Sequence, residues 1–245
     1  MRGRLAEYRR SRRAWRRFWE SYRGYRALAP PDRLPSGRLL YPCPGEDGPR
    51  TEIEPTYFYQ DSWAFERIVR RRPDWHVDVG SHHKYVALLS KVVRTIMIDI
   101  RPLSLPLDSL EFRRGTILAM PFDDASVPSV SSLCVVEHIG LGRYGDPLDP
   151  YGTEKAVAEL QRIVQPGGRL YLSVPLHDTN RTYFNAHRAF EEEYFLSLCR
   201  PFLIEERRYI YGREFCDARR PGFGVACYEL RRPPAGDLPA APAQE

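Results

Sequence analysis

No stretch of the chain approaches the roughly 20 consecutive apolar residues that a membrane-spanning helix requires. The basic start lacks an apolar core and a small-residue cleavage site, so a secretory signal is not expected. Cysteines are few, odd in number and scattered (Cys43, Cys134, Cys199, Cys216 and Cys227), with no CxxC pair. That pattern argues against a disulfide framework or a zinc knuckle and leads to the expectation of reduced thiols in the cytoplasm. The histidines His76, His82, His83, His138, His177 and His187 include no HExxH spacing, so no metal site is expected. A GxGxxG turn is also missing, which weakens a nicotinamide-dependent oxidoreductase reading.

Acidic residues are scarce at one end. Ten arginines against Glu7 and Glu20 give the first 26 residues a charge of +8, so with the whole chain at +5 the other 219 carry −3. Basic character is thus local, and the rest of the chain gives no reason to expect nucleic acid. Residues 1–28 read as a helix with Leu5, Tyr8, Trp15, Phe18, Trp19, Tyr22 and Tyr25 on one side and most arginines on the other. Three roles fit it: a helix docked by its aromatic stripe, a peripheral anchor on an anionic membrane at the inner face, or a nucleic-acid contact.

Seven prolines with glycines among them mark residues 29–56 as an irregular connector. A main domain is expected over 57–232 and a disordered Pro/Ala-rich tail over 233–245. Within the domain, helices are expected at 62–71, 85–93, 153–164 and 189–198. Strands are expected at 75–79, 95–100, 112–118, 130–136, 169–174, 202–211 and 223–230. Alternation of the two predicts an α/β, Rossmann-like, doubly wound and mainly parallel sheet of seven strands. Ligands of such sheets bind at the carboxyl ends of the strands, where the strand order reverses.

The segment HVDVGSHHKYVALLS, residues 76–90, places Asp78-Val79-Gly80-Ser81 at a strand-to-helix turn. Exposed backbone N–H groups at such a turn suit a nucleotide-type ligand. Twenty-one positions after Asp78, a second strand closes on Asp99-Ile100, where a carboxylate can accept hydrogen bonds from both ribose hydroxyls. Taken singly, Asp78 also fits a turn residue and Asp99 a helix cap. Then come GTILAMPFDD, residues 115–124, VVEHI at 135–139, and ELQRIVQPGG at 159–168.

This series resembles the class I S-adenosylmethionine-dependent methyltransferases over roughly residues 60–230. The strings HVDVGS, VVEHIGLGRYGDPLDP and FNAHRAF look like an uncharacterised methyltransferase-like family. Some of its bacterial members are associated with surface-polysaccharide pathways. The resemblance implies S-adenosyl-L-methionine as cofactor, with Asp78, Gly80 and Ser81 at its methionine part and Asp99 on the ribose. Ile100 would pack on the adenine, with Met120, Pro121 and Thr116 near its edge. Glu137 and His138 would stand beside the transferred methyl group, and either can take a proton from the acceptor. His187 falls after the fifth strand, on the edge where an acceptor would enter; Asn185 beside it equally fits a helix cap.

The chain departs from the family pattern at His82 and Lys84, which replace glycines, and at Thr116 and Pro128, which replace acids. An insert at 140–151 is expected to cover the cleft and offer Arg143, Tyr144 and Asp146 to a polar acceptor such as a sugar. Tyr57 and Tyr59 are candidates for capping the cofactor. A methyltransferase with an O- or N-acceptor and a non-catalytic binding or scaffold protein on the same fold are the two functions to separate.

Overall fold

The structure is a computed structural model. It describes residues 2–37, 40–46, 51–234 and 236, with side chains from Ser11 onward. The chain divides into two units, Met1–Ile53 and Glu54–Glu245. In the first, α1 spans Arg2–Leu28 and a 3-10 turn covers Pro31–Arg33. The side chains of Leu5 and Tyr8, Pro49, and the tail apart from Pro233, Pro234 and Gly236 lie outside the described residues.

The second unit opens with α2, Pro55–Arg71. This helix starts seven residues before the expected Ser62. Proline is pre-organised for the first helical position, and the Glu54 carboxylate accepts from the Tyr57 N–H at 2.7 Å. Arg72, in the left-handed region at φ 50°, ends the helix with its N–H on the Ile68 carbonyl. Trp63, Ala64 and Ile68 face the sheet and are buried.

Next follow β1 (His76–Val79), α3 (His83–Leu89), β2 (Thr95–Asp99), β3 (Leu110–Arg114), β4 (Val127–Leu133), α4 (Gly152–Ile163) and β5 (Val164–Leu176). A short antiparallel pair, β6 (Arg181–Tyr183) and β7 (His187–Ala189), precedes α5 (Glu192–Leu198). The chain ends through β8 (Leu203–Tyr211), β9 (Glu214–Cys216) and β10 (Gly224–Arg231). The sheet order is β3-β2-β1-β4-β5-β10-β8-β9. β1 to β5 pair in parallel, and β10 runs antiparallel to both its neighbours. The seven expected strands all form. An eighth, β9, adds an edge hairpin to β8.

Helices cover both faces. Val77, Val79, Ile96, Ile98, Leu160, Ile163 and Phe195 belong to one core layer, and Trp63, Ile68, Tyr85, Leu89, Met97 and Leu133 to the other. Alternation along β1 therefore puts His76 and Asp78 on the side of α2 and α3, opposite Val77 and Val79. α4 ends at Ile163, one residue before the expected end, and Pro166-Gly167-Gly168 form a bulged opening of β5. The register to β4 shifts between Val127 and Ser129, which accommodates Pro128 in a central strand.

A candidate nucleoside cleft and its acceptor end

A cavity of about 460 Å³ opens at the carboxyl ends of β1, β2, β3 and β4. Strand order reverses between β1 and β4, so the cleft lies at the position where ligands of doubly wound sheets bind. Gly80, Ser81, Asp99, Ile100 and Thr116 line it, as do Arg101, Leu103, Ile117, Leu118, Cys134 and His138. Gly80 turns the chain at φ +69°, and a Cβ there would press on Val135 at 3.1 Å. Asp99 accepts from the Arg101 N–H at 2.8 Å and its side chain remains 15 % exposed.

Asp78 does not face the cavity. Its carboxylate is fully buried, accepting from Ser131 Oγ at 2.6 Å and from the Ser81 N–H at 3.1 Å. The cause is the strand alternation described above. Asp78 fixes the Gly80-Ser81 turn from behind, and Ser81 Oγ in turn accepts from the Leu133 N–H at 3.0 Å. Burial pushes the Asp78 carboxyl up to about 6, partly offset by Ser131 and Ser81. Since Ser131 donates to Asp78, His76 Nε2 must donate to Ser131 Oγ (2.8 Å) and His76 Nδ1 must accept from Ser129 (2.8 Å). Desolvation keeps this imidazole neutral, at about 3. The Ser–His–Asp grouping has no exposed atom and serves as a buried polar spine, not as a nucleophile.

Met120 and Pro121 are also outside the cavity. The chain turns sharply after β3, with the Ala119 N–H on the Thr116 carbonyl at 3.1 Å, so Ile117 and Leu118 form the wall instead. Met120 packs into the core, its N–H on Glu159 Oε1 at 2.7 Å. Arg162 clasps Glu159, Asp124 and the Met120 and Phe122 carbonyls. The Glu159–Arg162 segment of the family pattern is thus a structural clasp between α4 and the turn after β3.

A 3-10 turn, Val136–His138, follows β4 and builds the far end of the cleft. His138 Nδ1 lies 2.5 Å from the Ala186 carbonyl, an acceptor only, so Nδ1 carries the proton and Nε2 keeps its lone pair. Burial, with Arg143 and His187 adding to it, lowers this imidazole to about 4. Glu137 sits behind the wall, 1 % exposed, with Oε2 unpartnered and Oε1 3.8 Å from His138 Nε2. Burial raises its carboxyl to about 8. At neutral pH both groups are uncharged, and their proximity is not an ion pair.

Because the Glu137 value lies above the ordinary 4.5, the folded chain holds a proton that the unfolded chain releases between those values. Glu137 therefore weakens folding increasingly as pH rises from 4.5 towards 8, and costs nothing below 4.5. Replacing it with the neutral Gln (Glu137→Gln) is expected to raise stability by about 3 kcal/mol at pH 7 and not at pH 4. Urea denaturation at both values measures this; an equal change at the two would show that Glu137 is not protonated.

His187 is not at the cavity. It lies in β7, half-buried between the Tyr183 and Phe223 rings at 5.0 and 5.9 Å, with Nε2 unpartnered. Asn185 is no helix cap; at φ 60° it forms the turn of the β6–β7 pair. That turn reaches the cleft through Ala186, whose carbonyl accepts from both His138 and Arg143 (3.0 Å).

In the insert, Tyr144 and Asp146 line the cavity. Asp146 acts as organiser, accepting from the N–H groups of Gly140 (2.6 Å), Gly142 (3.4 Å) and Tyr144 (3.3 Å). Tyr144 lies between the Arg101 and Arg143 guanidiniums, 4.5 and 5.0 Å from its ring centre. Arg188 pins the insert from below through the Ile139, Asp149 and Pro150 carbonyls. Gly140, at φ +82°, has no room for a Cβ, which would overlap the Asp149 carbonyl. Left-handed backbone alone costs other residues about 1–3 kcal/mol. Gly140→Ala is therefore expected to speed amide exchange across 140–151 by about tenfold or more, with β1 and β4 unchanged. Unaltered exchange in the insert would refute this packing.

Tyr57 lines the cavity from α2, its phenol raised by burial and by nearby Cys134, Tyr144 and Glu137. Tyr59 does not line it; its hydroxyl donates to the Arg213 carbonyl and its ring stacks on Phe215. His82 and His83, stacked at 4.4 Å, occupy the rim, and His82 stands where the family pattern has a glycine. Among the described residues no group of three or more His, Cys, Asp or Glu could hold a metal ion, and no helix is long and apolar enough to cross a membrane.

Residues 121–198, about a third of the chain, match a family described as a Caenorhabditis protein of unknown function, DUF268. No curated protein matches the chain. Among solved structures, the chain is similar to 1,6-didemethyltoxoflavin-N1-methyltransferase of Burkholderia thailandensis, solved with S-adenosylhomocysteine. The TM-score is 0.52 at 16% identity, covering 71% of this chain and 79% of that one. It is also similar to the N-methyltransferase NodS of Bradyrhizobium japonicum, solved with S-adenosylhomocysteine (TM-score 0.53, 12% identity, 74% and 90% covered). The [4+2]-cyclase SpnF is a third neighbour (TM-score 0.54, 13% identity, 71% and 82% covered). The sheet is that of the class I methyltransferase fold.

Proposed function

We propose that the chain is an S-adenosylmethionine-dependent methyltransferase that acts on an oxygen or nitrogen acceptor. The observation carrying this reading is Asp99, a partly exposed carboxylate on the wall of a cavity of about 460 Å³ that begins at the Gly80-Ser81 turn. The residues present fit the cofactor. Asp99 would take the ribose hydroxyls, Ile100, Leu103, Ile117 and Leu118 the adenine, and the Gly80-Ser81 backbone the methionine part. The two neighbours solved with S-adenosylhomocysteine support the same occupant.

When bound, the cofactor supplies a methyl carbon that is already electrophilic, so the protein's task is alignment and removal of an acceptor proton. His138 is the residue for that proton. Its Nδ1–H is committed to Ala186, which leaves the lone pair on Nε2 of a ring that lines the cavity. Glu137, protonated behind it, provides no competing charge. Tyr57, Tyr144 and Arg143 around this end suit a polar ring-shaped acceptor, and a sugar or glycan precursor is the class we favour.

A second reading, a binding or scaffold protein on the same fold, is favoured by His82 and His83 on the rim. Calorimetry with S-adenosylmethionine and S-adenosylhomocysteine separates the two. Binding at micromolar concentration is the expected result; none at millimolar concentration rejects the methyltransferase.

A further inference from the structure

From α1 we infer that the chain docks on an anionic lipid bilayer, an inference independent of the cleft. Trp15, Phe18, Trp19 and Tyr22 form one continuous ridge, each ring edge-on to the next at 5.8, 5.1 and 5.8 Å. Ala14 beside them is buried, whereas Trp15 and Trp19 are 40% and 43% exposed. Arginines flank the exposed indoles. Arg16 pairs with Glu20 at 3.6 Å and Arg26 lies over the Tyr22 ring. Arg13 and Arg23 show no ion pair among the described residues.

The charge says what covers this face. The first 26 residues carry +8 and the rest of the chain −3, so the net positive charge that an acidic surface would attract resides in this helix. A helix too polar to cross a bilayer, with indoles and guanidiniums side by side, suits the headgroup layer, where indoles sit and arginines meet lipid phosphates. Nucleic acid is less favoured: bases stack on open ring faces, and these rings are turned edge to face onto one another.

The test uses the full chain with vesicles of phosphatidylglycerol and phosphatidylcholine, against phosphatidylcholine alone. Partitioning is expected to be about tenfold or more stronger on the anionic vesicles and to fall as salt is raised. Brominated lipid is expected to quench tryptophan fluorescence in the unaltered protein. The double variant Trp15→Phe/Trp19→Phe should lose that quenching while still binding, and Arg13→Glu/Arg23→Glu should lower partitioning by about tenfold or more. Equal partitioning into both vesicles, absence of quenching, or tighter binding to an oligonucleotide at the same salt would each overturn the inference. Cofactor calorimetry reads the other unit, so the two proposals fail separately.

Discussion

Asp99→Ala is expected to weaken S-adenosylhomocysteine binding by about a hundredfold or more. A carboxylate that accepts two ribose hydroxyls makes two charge-assisted hydrogen bonds, each worth about 1.5–3 kcal/mol, and tenfold in affinity is about 1.4 kcal/mol. Asp99 is placed for this by β2, whose last residue it is, and its backbone carbonyl accepts from the Gly115 N–H at 3.0 Å. The side chain's other contacts, the Arg101 N–H bond and an ion pair with the Arg101 guanidinium at 3.8 Å, are local and partly exposed, so their loss should leave the fold intact. Asp99→Asn should fall between the two, since the amide keeps one acceptor and loses the charge. Calorimetry at fixed salt measures the series. If the unaltered chain binds and the alanine variant binds equally well, the ligand lies elsewhere and the nucleoside assignment is wrong.

Asp99 was legible because a strand ending in an acid at a fixed distance from a Gly turn is a local pattern. Asp78 shows what the pattern leaves out. Its place in the family series points to the cofactor, yet Val77 and Val79 are apolar and alternate with His76 and Asp78. That two-residue period puts the carboxylate on the α2/α3 side, and it is written in the same four letters. Met120 and Pro121 failed for a different reason. The turn at Thr116–Ala119 sets which residues face the cleft, and its geometry depends on Glu159 and Arg162, some forty residues away. The hairpin of β6 and β7 falls in residues to which the sequence assigns no element, apart from Ala189, which belongs to the helix expected at 189–198. Each strand has only three residues, and its turn rests on Asn185 in the left-handed region, which sequence periodicity does not register. His138's tautomer likewise depends on a carbonyl that this hairpin delivers.

The largest loss of stability is expected far from the cleft, at Glu229. This residue lies in β10 within GVACYEL, a run whose apolar character hid it. Its side chain is wholly buried, yet it receives three arginines: Arg67 Nε at 2.7 Å, Arg71 Nε at 2.8 Å and Arg169 Nε at 3.0 Å. Glu205 and Glu206 take further bonds from the same guanidiniums, at 3.1 Å from Arg71 and 2.6 Å from Arg67. The network joins α2 to β5, β8 and β10, so it carries the only charged link between the first helix of this unit and three sheet strands among the described residues. Glu229→Ala removes the one carboxylate of this cluster that has no access to water and leaves three cations around the gap. Breaking a buried pair from one side costs about 3–5 kcal/mol, because the partner charge stays desolvated. Glu229→Gln keeps the volume and one acceptor but not the charge, and should recover little of that loss. Urea denaturation at pH 7 provides the measure, with Glu205→Ala, at the exposed side of the same cluster, as reference at about 1 kcal/mol or less. Equal losses for Glu229 and Glu205 would mean that water reaches the cluster and that α2 is held to the sheet by its apolar face alone.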